Sequence, residues 1–357
     1  MKVCILGTGL SSLALAKALV NQKIYVNVIE QNQPHLANKT RTLGISKSNV
    51  EYFNKNIINI EKMIWKLKKI EIFSDNLKKE KILSFQNNAD FLFSIIKNYK
   101  LYDLLKKNLS KNKYFKKEKI KNEKFFLENY DLIISSDFNN FITKKYFNKK
   151  LEKKYNSYAM TTVIKHEKIS NNVATQIFTR RGPLAFLPIS KDTTSVVYSI
   201  NNENSKEENM DKLIHHYNSK YKIKKIEKID IFELKALSLR SYYHNNILAF
   251  GDLLHRIHPL AGQGFNMTIR DIENIIEIIK YKTDLGLPLD KSINCEFEKK
   301  TKHKNLIFSN AIDFIYEFFN FERKTKNIFL SKSIQVLGNN PKINKMFKIL
   351  ADKGLIF

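Results

Sequence analysis

A chain of 357 residues with 43% hydrophobic content can bury a sizeable core and is long enough for two domains. Its 62 Lys and Arg against 35 Asp and Glu give a net charge of +27, yet only seven of those cations are arginine and the lysines are scattered along the whole length. That pattern argues against a nucleic-acid partner and suits the diffuse attraction of an anionic membrane surface. Two cysteines, Cys4 and Cys295, make no disulfide framework, and no run reaches the roughly 18 to 20 apolar residues of a membrane span. The apolar start is read as the beginning of a fold rather than a secretory leader, because its glycines sit where a fold needs them.

In chain order, Lys2–Leu6 reads as a buried strand, residues 7–9 as a tight turn and residues 11–21 as a helix. Ala14 and Ala18 give that helix a side able to approach a sheet. Residues 24–30 form a second strand, alternating through Val26 and Val28. Residues 51–129 divide poorly; helical stretches are expected at 89–96 and 101–109. Residues 130–135 read as another buried strand. Between 158 and 200 the segments 160–164, 174–178 and 195–200 are short and rich in β-formers, punctuated by Gly182, Pro183 and Pro188, and imply an antiparallel sheet. A last strand at 247–250 runs into a glycine-rich loop and then a helix. Ile272, Ile275, Ile276 and Ile279 have the spacing of its buried face. The tail from Asn305 is mostly helical, with aromatic and basic residues mixed.

Two motifs carry chemistry. In the first, Gly7-Thr8-Gly9-Leu10-Ser11-Ser12 follows a strand and opens a helix. Gly7 permits the turn, Gly9 removes a side chain that would block a pyrophosphate, and the helix N-terminus offers free N–H groups and a positive dipole end. Ser12 takes the place of the usual third glycine. Glu30 ends the second strand, where a carboxylate accepts hydrogen bonds from a ribose. This motif alone fits FAD or NAD.

The second motif runs from Gly251-Asp252 through His255, His258 and Pro259 to Gly262-Gln263-Gly264-Phe265-Asn266. Asp252 can bond a polyol hydroxyl or sit near phosphate. Pro259 stiffens the path. Gly262 and Gly264 let the main chain lie against a flat ligand, with N–H groups able to stabilise negative charge on it. His255 and His258 stand at i and i+3, but no third ligand has a suitable spacing, so no metal site is read here. His258 is read as structural or flavin-proximal rather than as a general base.

These residues resemble the flavin-dependent aromatic hydroxylases related to p-hydroxybenzoate hydroxylase, and most closely the ubiquinone-biosynthesis monooxygenases. Four stretches carry the resemblance: Gly7 to Ser12 with Glu30; Arg41-Thr42-Leu43-Gly44-Ile45-Ser46; His166-Glu167 with Gln176 to Phe178 and Gly182 to Pro188; and Gly251 to Asn266 continuing to Arg270-Asp271. The resemblance implies an α/β fold with a Rossmann-like FAD-binding domain built from discontinuous segments, an antiparallel β-sheet substrate domain and a helical C-terminal region. The expected FAD-binding parts are 1–70, 101–152 and 236–290; substrate-domain parts are 71–100 and 153–235; the helical region is 291–357.

Residue by residue, the resemblance implies that Gly7, Gly9, Leu10, Ser11 and Ser12 hold the FAD pyrophosphate and that Glu30 binds the adenosine ribose. Arg41 would lie along the cofactor. Asp252 would contact its ribityl–pyrophosphate region, and Asp137 and Gly251 are also expected among the cofactor-binding residues. His258, Pro259, Ala261, Gly262, Gln263, Gly264, Phe265 and Asn266 would surround the flavin ring. It also implies NAD(P)H as electron donor, O2 as co-substrate, a flavin C4a-hydroperoxide, and hydroxylation of a hydrophobic phenolic quinone precursor. A cytoplasmic chain held peripherally at the inner face of the membrane, or in a quinone-biosynthesis complex, is the expected setting. No nucleic-acid partner and no catalytic base are assigned.

One departure stands. The family's middle motif has an Asp-Gly pair followed by a Ser and an Arg; here Asp137 is followed by Phe138, with Phe141 and Lys144 at the later positions. A phenylalanine cannot give the close backbone approach of glycine, which weakens the case for nicotinamide-driven reduction. Two rival readings follow: an FAD-dependent oxidoreductase acting on an isoprenoid compound without oxygen insertion, and a non-catalytic FAD-binding accessory protein of quinone biosynthesis.

Overall fold

The computed structural model describes residues 1–30, 39–75, 80–87, 89–119, 129–201, 209–258, 262–325 and 328–354. Three sheets organise them. The first has the order β16-β17-β9-β1-β2-β8. Its strands are β1 (Lys2–Leu6), β2 (Tyr25–Glu30), β8 (Phe115–Lys119), β9 (Leu132–Ser135), β16 (Tyr243–His244) and β17 (Ile247–Ala249). β8, β2, β1, β9 and β17 pair in parallel, and only β16 turns back. Strands buried on both faces need continuous apolar runs, and Val3, Cys4, Ile5, Ile133 and Ile134 are all fully buried. Helices α1 (Leu10–Asn21), α3 (Asn98–Leu109) and α6 (Gln263–Asp284) contribute to the same core. The four isoleucines expected to form the buried face of α6 are between 0% and 3% exposed. Each contributes about 1.5–3 kcal/mol of burial free energy.

The second sheet has nine strands. Its path is β18 (His255–Arg256), β15 (Asp230–Leu239), β10 (Lys150–His166), β13 (Thr193–Asn201), β12 (Pro183–Pro188), β11 (Val173–Phe178), β5 (Lys69–Ser74) and β6 (Lys81–Gln86), with β14 (Ile223–Ile226) paired to β10. The expectation of an antiparallel sheet needs one correction: β11 and β5 run parallel, because the edge is completed by an earlier segment of the chain rather than by a hairpin. β10 is one 17-residue strand. It carries a register shift between Lys154 and Ser157, where Asn156 adopts φ 47. One face is covered by α5 (Met210–Tyr217), whose Leu213 and Ile214 pack with Ile164, Leu184 and Tyr198.

The third sheet, β3-β7-β4, comprises β3 (Thr42–Ser46), β4 (Trp65–Leu67) and β7 (Phe93–Lys97). It overturns the helix expected at 89–96. Phe93 to Ile96 are aromatic and β-branched, and pairing with β3 on one side and β4 on the other extends them. Tertiary pairing outweighs a weak helical pattern. The remaining helices are α2 (Lys47–Asn56), α4 (Phe141–Tyr146), α7 (Ser292–Thr325), α8 (Phe329–Asn339) and α9 (Pro341–Lys353). The C-terminal region is helical, as expected.

Candidate cofactor site

Because β1, β2, β9 and β17 are parallel, their carboxyl ends share one edge of the first sheet. That edge receives Gly7 and Gly9 after β1, Glu30 at the end of β2, Asp137 after β9, and Gly251-Asp252 after β17. The crevice outside such strand ends is where open α/β sheets bind ligands. Two glycines are demanded by contact here. Gly7 has φ +123, and a Cβ on it would lie 2.6 Å from Ser136 Oγ; Gly251 has φ +65, and a Cβ on it would lie 2.8 Å from Ser11 Cβ. The second contact brings the Gly251–Leu253 turn against the first turn of α1, although 240 residues separate them in sequence. Ser12, at the third-glycine position, has its hydroxyl 2.5 Å from that of Ser136. Gly9 caps α1 without any side-chain hydrogen bond, so the helix's first amides are left for an external acceptor.

Glu30 is partly exposed and ion-paired to Lys117 at 2.8 Å. Near it lies Tyr102 of α3, whose hydroxyl also faces Thr8. Burial, and then the charges of Glu30 and Asp103, push that phenol's pKa up, so it stays protonated. Tyr102 and Ser136 were missed in the sequence. Ser136 could have been found as the residue just beyond a buried strand; Tyr102 had no signal, because it arrives from a separate helix.

The second motif forms the head of α6. Gly262 has φ +63, and a Cβ there would meet Gly44 N at 3.5 Å, so the glycine is needed for its conformation rather than for space. A Cβ on Gly264 would meet nothing within 4 Å, which leaves room in front of the helix head. Like α1, α6 has no side-chain cap. Asn266 is fully buried and spends its amide on the protein. Its Oδ1 accepts from Ser46 N at 2.9 Å and Asn49 Nδ2 at 3.0 Å; its Nδ2 donates to Gly44 O at 3.0 Å and Gly262 O at 3.2 Å. It therefore fixes the loop against β3 and α2. Leu10 and Phe265 turn their side chains into the core, Phe265 beside Phe53 with ring centroids 6.3 Å apart. Gln263 donates to Ala351 O of α9 at 3.3 Å. Pro259 and Ala261 lie outside the described residues.

His258 is 1% exposed, stacked on Tyr316 at 4.1 Å and edge-on to Tyr155 at 5.1 Å. Tyr155 donates its hydroxyl to Asp313, and burial pushes its pKa upward. His255 is bonded to Asp271 at 2.6 Å, and Asp271 also accepts from Asn305 at 3.1 Å. These contacts tie the motif to α7. Among the described residues no three His, Cys, Asp or Glu side chains converge as a metal set. Asp252 is exposed at the crevice edge. Arg41 is exposed, its guanidinium 5.9 Å from the Phe232 ring centre, and its carbonyl accepts from Asn98 N at the start of α3.

The altered middle motif has its own architecture. The Asp137 carbonyl accepts from Asn140 Nδ2 and Thr143 Oγ1, both at 2.7 Å, which closes the turn without a glycine. The Arg256 guanidinium stacks over Phe138 at 4.3 Å. A cavity of about 240 Å³ adjoins it, lined by Phe138, Thr143, Lys144, Phe147, Lys150 and Leu253 among others.

Two uncapped helix heads, two glycines held at close contacts and an open space before Gly264 fit a dinucleotide with a flat ring. They define a dinucleotide-binding α/β crevice under a large, mainly antiparallel sheet. A family described as "FAD binding domain" matches residues 148–281. The chain is similar to the mitochondrial ubiquinone biosynthesis monooxygenase COQ6 of Drosophila melanogaster, 23% identical over 260 residues, covering 61% of this chain and 54% of that protein. The chain thus spans about half the length of these curated relatives. Among solved structures it is similar to p-nitrophenol 4-monooxygenase PnpA of Pseudomonas putida, with TM-score 0.77, 12% identity, and coverage of 98% of this chain and 96% of that one. It is also similar to HpxO of Klebsiella pneumoniae complexed with FAD and uric acid, with TM-score 0.76, 12% identity, and coverage of 99% and 97%. The chain is thus similar in sequence to ubiquinone-biosynthesis monooxygenases and in fold to FAD-dependent monooxygenases, and FAD is the cofactor its crevice fits.

Proposed function

We infer that this chain is an FAD-dependent monooxygenase that hydroxylates the aromatic ring of a polyprenyl phenol in ubiquinone biosynthesis. The observation that carries the reading is the close contact of Gly251 with Ser11, which joins two amide-rich segments into one crevice beside the head of α6. The printed activities of the curated relatives support the substrate class.

FAD, when bound, supplies the redox chemistry, accepting a hydride from NAD(P)H and delivering one atom of O2 to an electron-rich ring. The chain's own part is positional. The α1 amides and Gly7 would take the pyrophosphate, and Glu30 and Asp252 the hydroxyls. The amides at the head of α6 would favour negative charge on the reduced ring, with Asn266 holding the loop rigid. The nine-stranded sheet would supply the wall that excludes water from the phenol.

The test is turnover under labelled O2 with NADH or NADPH and a prenylated phenol. One labelled oxygen atom per product supports the reading. Flavin reduction with an unlabelled product favours an oxidoreductase without oxygen insertion. The Phe138–Arg256 stack favours a second reading, an FAD-binding accessory protein, because it fills the turn where the family has glycine. Flavin that stays oxidised with both nicotinamides would favour that one.

A further inference from the structure

The hairpin turn between β11 and β12 is fixed by its own bonds. Thr179 N and Oγ1 donate to Gly182 O at 3.1 and 2.7 Å, and Gly182 N donates back to Thr179 Oγ1 at 3.2 Å. A Cβ on Gly182 would stand 1.6 Å from Ser199 O, so the turn packs directly on β13. Its two central residues, Arg180 and Arg181, are exposed, and in a chain whose cations are nearly all lysine they are two of only seven arginines. With Lys212 and His216 of α5 they line a cavity of about 450 Å³, over a floor formed by Tyr198 and Leu213 and a wall formed by Tyr217.

No carboxylate lines this cavity among the described residues. The neighbouring Asp75 is engaged elsewhere: its Oδ2 accepts from the Tyr217 hydroxyl at 2.5 Å and from Arg180 N at 3.2 Å. Burial, and then Asp75 itself, push the Tyr217 phenol's pKa up, so it remains the donor. The cavity is also separate from the cofactor crevice. Successive residues of a strand face opposite sides of its sheet. Ile177 joins Tyr198 and Leu213 in the cluster under α5, whereas Phe178 packs on the other side with Ile257 and with Met267 of α6. The cavity therefore lies across the sheet from the head of α6.

We propose that this cavity binds a phosphate monoester carrying a flat apolar group. The planar fork of a guanidinium matches the oxygens of a phosphate, and two of them on a rigid turn beside an ammonium give a dianion its donors. The buried floor of Tyr198 and Leu213 receives the apolar part. A volume of about 450 Å³ is that of a small-molecule site rather than of a bare ion. The site does not depend on the activity proposed above.

The experiment is isothermal titration of the full chain with phenyl phosphate, inorganic phosphate and phenol, each with and without saturating FAD. Phenyl phosphate is expected to bind roughly tenfold or more tighter than either fragment, and equally well with FAD present. Arg180→Gln with Arg181→Gln should weaken it by roughly another factor of ten or more, because charge-assisted hydrogen bonds are lost. Lys280→Gln with Lys299→Gln removes the same charge from exposed positions of α6 and α7 and should leave the affinity unchanged. All four substituted side chains are exposed, and an unchanged melting temperature would report an intact fold. Displacement of phenyl phosphate by FAD, equal losses in the two variants, no loss in the arginine variant, or phenyl phosphate binding no tighter than inorganic phosphate would overturn the proposal.

Discussion

Substituting Gly251→Ala tests whether the crevice is assembled as described. The residue sits at φ +65, a conformation costing an alanine roughly 1–2 kcal/mol. The new methyl would stand 2.8 Å from Ser11 Cβ and 3.1 Å from Ser11 Oγ, well inside ordinary contact. Either the turn after β17 or the first turn of α1 must retreat, adding about 1–3 kcal/mol. Most of that retreat opens the space between the two loops that share the cofactor. The expected result is a roughly 10- to 100-fold weaker FAD affinity, read by quenching of flavin fluorescence on titration. The unfolding free energy of the apoprotein in urea should fall by the conformational and contact costs together, about 2–5 kcal/mol. A second substitution, Ser11→Gly, removes the opposing Cβ and should restore about 1–2 kcal/mol of the loss; the double-mutant cycle isolates that contact. A Gly251→Ala protein that binds FAD as tightly as the parent would refute the convergence of the two loops.

Asn266→Ala removes four hydrogen bonds from a buried site and should cost roughly 2–4 kcal/mol, measured by denaturant unfolding, with Asn266→Asp no better because two of the lost donors face carbonyls. Burial pushes the Cys4 thiol up to about 12, whereas Cys295 is partly exposed. A thiol reagent at mildly alkaline pH should therefore titrate one cysteine in the native protein and two after unfolding. Burial, reinforced by Glu277, holds the Glu273 carboxyl above its usual range. A raised carboxyl pKa destabilises the fold above the folded value, and the penalty vanishes below the unfolded one, about 4.3. Glu273→Gln should raise the melting temperature at neutral pH, and the gain should disappear on acidification.

The elements legible in the sequence were those specified locally. Residues 2–30 show a strand, a glycine turn, a helix and a strand in the order in which they fold, and the isoleucine spacing of α6 gives its buried face directly. What the sequence concealed depends on partners far along the chain. Residues 93–97 become a strand because β3 and β4 flank them, and neither partner is visible from that window. The edge of the large sheet is finished by β5 and β6, which lie in the stretch that divided poorly. Within the site, the glycines could be read because backbone conformation restricts residue type. Tyr102 and Ser136 could not be assigned a role, since ordinary residues acquire one only when the fold delivers them. Asn266 was assigned to the ring's surroundings; its hydrogen bonds show that it fastens the loop. Phe138 departs from the family pattern, and its compensation, the Arg256 guanidinium, comes from 118 residues downstream.

The central claim is that separated main-chain segments build one site for FAD. Its most direct test is the flavin content of protein purified without denaturant and then titrated with FAD. The account predicts one bound FAD per chain, with the visible spectrum of an oxidised flavin and a thermal transition that moves upward with FAD concentration. A colourless protein that takes up no FAD, and whose melting temperature ignores it, would contradict the account.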